Sequence, residues 1–193
     1  MSVALRKPMT REEFLAWEEQ QELRWEFDGF APVAMTGGTA AHAAIQGNVI
    51  VALATRLRGK PCRAFTSHLK MAVGRSIRYP DAFVVCSPVS PNDTVVSEPV
   101  VVFEILGPDT AFIDRTAKND EYAATPSIRR YVMLEQDVAA ATVFAREGTR
   151  WVATYMHAGE ILEMPEIDIE IPLAELYEGV SFPEAPSDAA AQA

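Results

Sequence analysis

The order of polar and apolar positions divides the chain into segments of distinct period. Thr10-Arg11-Glu12-Glu13 is a capping-box pattern that opens a helix to about Gln20, with Phe14, Leu15 and Trp17 giving it a partly apolar face. Residues 25–35 read as a hairpin, because Asp28-Gly29 is a two-residue turn signal between apolar-rich runs. After a break at Gly37-Gly38-Thr39, the apolar residues Ile45, Val49, Leu53 and Leu57 recur at steps of four. This spacing predicts a helix over 40–58 with Gly59 as its stop. The period then shortens. Leu69, Met71 and Val73 alternate as in a strand with one buried face. Residues 82–86 and 100–106 are continuous apolar runs, which suit central strands covered on both faces, and a polar, Pro-containing loop separates them. Residues 114–124 read as helix ahead of Pro126, 130–134 as a strand, and 141–145 with 151–156 as a hairpin around Glu147-Gly148.

From Ala40 the order is helix, three strands, helix, strand, and a mixed sheet with helices packed against it buries those faces. The expected fold class is therefore α/β: a mixed β-sheet flanked by helices, with an N-terminal helix-hairpin and a C-terminal antiparallel extension. A length of 193 residues, 49% hydrophobic, fits a single domain, taken here as residues 1–183. Residues 184–193 have nothing to bury and are expected to be a disordered tail.

No run approaches 18 apolar residues, so no membrane span is expected. The first ten residues lack an apolar signal core, and a cytoplasmic location is expected. Cys62 and Cys86 stand apart with no Cys-x-x-Cys motif; the two could pair, but reduced, packed thiols are the expectation. The net charge of −10 argues against a nucleic-acid partner, yet its distribution is uneven. No acidic residue lies between Asp28 and Asp81, whereas Arg56, Arg58, Lys60, Arg63, Lys70, Arg75 and Arg78 all do. That stretch either forms a local basic patch or is a solvated helix end and loop.

Two residues interrupt the apolar runs. Asp81 opens its strand after Pro80, and Glu104 sits near the end of the other. A carboxylate among apolar neighbours is costly unless charged groups or a metal compensate it. On adjacent strands the pair would converge on one hard cation, which would polarise a phosphoryl oxygen and acidify water. The alternatives are a strand-end Asp81 bonded to backbone amides and a Glu104 paired with an arginine.

Tyr79-Pro80-Asp81-Ala82-Phe83-Val84-Val85, then Val100-Val101-Val102-Phe103-Glu104-Ile105-Leu106, then Asp114 through Lys118 to Tyr122, together resemble a bacterial family of restriction-endonuclease-like proteins in the PD-(D/E)XK nuclease superfamily. The likeness extends to Trp25-Glu26-Phe27-Asp28-Gly29, to His42 and to Arg130-Tyr131-Val132, covering most of residues 10–151. It implies an endonuclease that hydrolyses DNA phosphodiesters with Mg²⁺ or Mn²⁺. Asp81 matches the PD acid and Glu104 the (D/E) position, and the backbone carbonyl of Ile105 would complete the metal site. The superfamily's lysine normally stands two residues after that glutamate, where this chain has Leu106. The resembled family carries it on the following helix, which the resemblance maps to Lys118. Without the resemblance, Lys118 reads as a helix-surface partner of Asp114.

Glu26 would be an auxiliary third carboxylate or a solvated strand residue. His42 would bond a phosphate, serve as general base, or contact nearby backbone. The expected partner is DNA, held by the basic stretch. A homodimer would help cut both strands, although no dimerisation element is evident. The rival reading is a nuclease-fold binding or regulatory module that has lost efficient catalysis, in keeping with the acidic charge and the displaced lysine.

Overall fold

The computed structural model describes residues 8–35, 37–107 and 111–182, so the expected tail at 184–193 lies outside the described residues. Helix α1 (Arg11–Glu18) starts from a formed capping box, in which Thr10 Oγ1 accepts the Glu13 N–H and Glu13 accepts the Thr10 N–H. Its Phe14 stacks on Phe27 of β1 (Trp25–Phe27), with ring centroids 5.1 Å apart. Strand β1 pairs antiparallel with β2 (Pro32–Ala34), as the hairpin pattern predicts. The turn is wider than two residues, because Asp28 folds back on it. Asp28 Oδ1 accepts the N–H groups of Phe30 and Ala31, and Gly29 takes a φ of 85°.

Helix α2 (Ala40–Arg56) follows from its N-cap Thr39 and buries Ile45, Val49, Ala52 and Leu53. Six strands come next: β3 (Arg63–Thr66), β4 (Lys70–Val73), β5 (Ser76–Arg78), β6 (Ala82–Val85), β7 (Val95–Val96) and β8 (Pro99–Ile105). A helical stretch combines α3 (Ala111–Ile113), a π-helical turn (Asp114–Lys118) and α4 (Asn119–Ala123). Strands β9 (Arg130–Leu134), β10 (Ala140–Glu147), β11 (Arg150–His157), β12 (Ile161–Met164) and β13 (Ile169–Pro172) complete the fold, with 3₁₀ turns at Pro165–Ile167 and Leu173–Tyr177.

The strands form a six-stranded sheet ordered β11-β10-β9-β8-β6-β3, a five-stranded sheet ordered β2-β1-β5-β4-β7, and the β12-β13 pair. The large sheet is mixed, because β8 and β9 run parallel and its other pairs antiparallel. Its centre explains the continuous apolar runs. Ala82, Val84, Val101, Phe103 and Ile105 pack into one core with α2 and the C-terminal segment. The alternate residues Phe83, Val85, Val102 and Leu106 pack into a second core with Met71, Tyr122, Ile128 and Tyr131. Both faces are covered, so neither needs polar alternation.

Strands β3, β5, β7, β12 and β13 are absent from the expected order, because each spans only two to four residues, too few for a period to show. Strand β3 also decides the state of the cysteines. The β3–β6 register sets Arg63 opposite Val85 and carries Cys62 to the place opposite Cys86, where the two are joined by a disulfide. Reduced thiols are therefore not what the structure holds. Among the described residues no helix is long and apolar enough to cross a membrane.

Phe83 is fully buried and lies 5.6 Å from the Phe65 ring. Phe83→Ala is expected to cost about 3–5 kcal/mol of unfolding free energy through the cavity it leaves. Equilibrium urea denaturation measures this directly.

Candidate active site

The centre of the large sheet places Asp81 and Glu104 together. The antiparallel β6–β8 register sets Ala82 opposite Phe103, so the residue before one meets the residue after the other. Glu104 shares its strand face with Val102 and so projects toward the helical stretch that carries Tyr122. Asp81 Oδ2 accepts the Ile105 N–H at 2.7 Å and lies 3.2 Å from His42 Nε2. Gln46 Nε2 donates to the Asp81 carbonyl at 2.8 Å.

Lys118 points inward from the π-helical turn. Its Nζ lies 2.9 Å from Glu104 Oε1, 2.9 Å from Asp114 Oδ1 and 3.6 Å from Glu26 Oε1. Its side chain is only 8% exposed, so it is not the helix-surface lysine that the spacing to Asp114 also permits. Tyr122 OH donates to Glu104 Oε1 at 3.2 Å. Asp114, Lys118 and Tyr122 stand at steps of four, and this periodicity, beside the motif resemblance, marks Asp114 and Tyr122 as part of the cluster.

Glu26 reaches the cluster from the other sheet, because β1 pairs with β5 at Phe27 and Ile77. Both of its oxygens are engaged: Oε1 accepts the Tyr79 N–H at 3.0 Å and Oε2 accepts from Arg78 at 3.1 Å. Arg78 also grips Glu121 with two nitrogens, at 2.6 and 2.8 Å. Nothing in the linear pattern marks Arg78 as a buried structural cation.

The charges in this cluster depend on one another. Burial opposes the Lys118 ammonium, but Glu104, Glu26 and Asp114 outweigh it and hold its pKa well above the usual range. Burial raises the Glu104 carboxyl well above its ordinary value, with Asp114, Asp81 and Glu26 adding to the shift and Lys118 opposing it. Burial pushes Glu26 the same way, yet Lys118 and Arg78 pull it below its ordinary range. The hydrogen bond to Asp81 leads in raising His42, against the effect of burial.

Glu26, Asp81, Glu104, Asp114, Lys118 and His42 all line one cleft of about 320 Å³. Four carboxylates there face one ammonium, and Asp114 Oδ1 is buried with no aligned hydrogen-bond donor although Lys118 lies within ion-pair distance. Such a surplus of negative charge fits a divalent cation, which would offset both the burial and the neighbouring carboxylates that raise Glu104. Among the described residues no three His, Cys, Asp or Glu side chains converge as a closed metal cage. Two of these carboxylates with nearby backbone could serve as donors, a sparse set of the kind that Mg²⁺ takes while keeping several waters.

The basic stretch does not form an outward patch as a whole. Arg78 is buried on Glu26 and Glu121, and Lys70 is buried 2.9 Å from Glu18, which also accepts from Tyr79 OH. Arg56 holds Glu175 with two bonds, and Lys60 pairs with Asp168. Of the seven, Arg58, Arg63 and Arg75 are exposed. Carboxylates distant in sequence return to the other four, which a linear count of charge does not reveal.

Comparison with known proteins gives concordant results. Residues 11–174 match the model of a family described as "Uma2: Putative restriction endonuclease". Two proteins of Synechocystis sp., both described only as uncharacterized, are similar along most of their length. One is 27% identical over 178 residues, covering 90% of this chain and 94% of its own. The other is 26% identical over 160 residues, covering 80% and 90%. The crystal structure of a "putative nuclease belonging to DUF820" from Anabaena variabilis superposes with a TM-score of 0.74 at 18% identity, covering 88% of this chain and 98% of that one. The mixed sheet with flanking helices expected from the order of elements is observed, and it is the restriction-endonuclease-like α/β fold that the resemblance implies.

Removing Arg78 would leave buried Glu26 with Lys118 at 3.6 Å as its remaining cation and strip Glu121 of both its bonds from the arginine. Arg78→Leu is expected to destabilise the protein by about 3–5 kcal/mol. The exposed Arg58→Ala is expected to stay within about 0.5 kcal/mol of wild type. Urea titration of the two variants side by side separates a structural arginine from a surface one.

Proposed function

The chain belongs to the Uma2 family of putative restriction endonucleases, and from that premise we propose that it is a metal-dependent endodeoxyribonuclease acting at the Asp81–Glu104–Lys118 cleft. The observation that carries this reading is the opposition of Asp81 and Glu104 across β6 and β8, with a buried lysine ammonium 2.9 Å from Glu104. Just past the strand stands Leu106, where the superfamily's lysine is expected, and the helical stretch supplies the cation instead.

Asp81, Glu104 and the backbone carbonyl of Ile105 would hold Mg²⁺ or Mn²⁺. Bound there, the ion would polarise the phosphodiester and lower the pKa of nearby water. The chain's own groups account for the remaining roles. Lys118 presents a permanent positive charge to the phosphate, whose negative charge grows toward the transition state. Glu26 and Asp114 keep Lys118 protonated and aimed into the cleft. With both oxygens engaged, Glu26 acts as a positioning group for that lysine. Tyr122 fixes one oxygen of Glu104 and leaves the other for the ion.

Calorimetric titration with Mg²⁺ and Mn²⁺ is expected to show binding by the wild type and none by Asp81→Ala. Conversion of supercoiled plasmid to nicked or linear product is expected to fall by at least about 10²-fold in Asp81→Ala and in Glu104→Ala. Metal and DNA binding without any cleavage over hours would favour the non-catalytic module.

Lys118→Ala is expected to slow cleavage by about 10²–10³-fold while still binding metal, since it removes charge stabilisation and no ligand. Parallel calorimetry and plasmid assays measure both halves of this expectation. Unchanged cleavage would remove Lys118 from the mechanism.

A further inference from the structure

Asp81 and Glu104 each present the cleft with one engaged oxygen and one that no described residue holds. Asp81 Oδ2 takes the Ile105 N–H and the His42 imidazole, while Glu104 Oε1 takes Lys118 and Tyr122. Among the described residues no donor bonds Asp81 Oδ1 or Glu104 Oε2. Two carboxylates limited to one free oxygen each suit a small octahedral ion that retains water. Ca²⁺ accepts six to eight oxygens and takes carboxylates through one or both, so a site held to few oxygens favours the smaller ion.

The restraint on Asp81 comes from two elements. Ile105 belongs to the same sheet, but His42 belongs to α2, and so does Gln46, which bonds the Asp81 carbonyl. His42 and Gln46 are four residues apart on one helix face, so α2 grips this aspartate by both side chain and backbone. The imidazole itself has little freedom. A Cβ built on Gly38 would lie 3.0 Å from its Cγ and Nδ1, so the ring packs directly on the glycine backbone. His42 N–H is tied to Thr39 Oγ1 at the start of the helix.

We propose that His42 is a positioning residue that confines Asp81 to one-oxygen coordination and thereby makes the site select Mg²⁺ or Mn²⁺ over Ca²⁺. This rests on the metal-dependent reading above. Without the imidazole, Asp81 keeps only its bond from Ile105 and turns both oxygens toward a larger ion. Gly38 serves the same end, since a side chain there displaces the ring.

The test is calorimetric titration of the intact chain with MgCl₂, MnCl₂ and CaCl₂, for wild type, His42→Ala, His42→Gln and Gly38→Ala. Apo thermal unfolding checks that each variant is folded. Loss of an outer hydrogen-bond partner typically costs about 10–100-fold in metal affinity. His42→Ala is expected to lose Mg²⁺ affinity by such a factor while Ca²⁺ affinity holds or rises, shifting the Mg²⁺/Ca²⁺ ratio at least about tenfold. Gly38→Ala should shift it the same way, and His42→Gln, which keeps a donor, should restore part of it. If His42→Ala does not fold, the Gly38→Ala and His42→Gln pair carries the same comparison. An unchanged ratio, or equal loss for both ions, overturns the selectivity role and leaves the metal site standing. A wild type that binds no ion overturns the metal reading and this role together.

Discussion

Lys118 is an ammonium almost wholly removed from water, and it persists there because Glu104, Asp114 and Glu26 surround it. Taking these charges out of water costs several kcal/mol each, so partners beyond the lysine matter. Glu26 is held by Arg78 and the Tyr79 amide, and Glu104 by Tyr122. The cluster joins the five-stranded sheet through Glu26, the six-stranded sheet through Glu104, and the helical stretch through Asp114 and Lys118. A sliding of any of these elements would strand a buried charge. The same requirement that fixes how the layers meet therefore fixes the shape of the cleft.

The helical stretch gains its role from this arrangement. With Leu106 packed in the second core, the strand that bears Glu104 continues as an apolar element past the acid. The cation is delivered from outside the sheet, by a turn with π-helical hydrogen bonding, a local departure from α-geometry that recurs at functional sites. The carboxylates are thus set by strand register and the ammonium by helix packing, two independent kinds of order.

What could be read in advance followed from local contrast. Strands β6 and β8 are legible because nothing polar breaks them except Asp81 and Glu104, and those two residues stand out for the same reason. Helix α2 is legible from its four-residue period. Long-range pairing was not legible. Cys62 and Cys86 become partners through a strand too polar and short to recognise, and Glu26 shows no sign of the arginine 52 residues away that buries it. The basic stretch shows the limit clearly: Arg56 meets an acid 119 residues later, and Lys60 one 108 residues later. Charge along a sequence is local, whereas charge on a surface is what remains after such pairs form.

That remainder bears on how other molecules arrive. With Arg56, Lys60, Lys70 and Arg78 paired to the protein's own carboxylates and a net charge of −10, the protein as a whole presents a polyanion with charge of its own sign. Complementary fields draw partners together at about 10⁸–10⁹ M⁻¹s⁻¹, whereas unsteered encounters run at about 10⁵–10⁶ M⁻¹s⁻¹. A strand of phosphates would meet this surface in the slower regime, by diffusion against mild repulsion. Its lifetime on the protein would then depend on contacts made after arrival and not on capture from a distance.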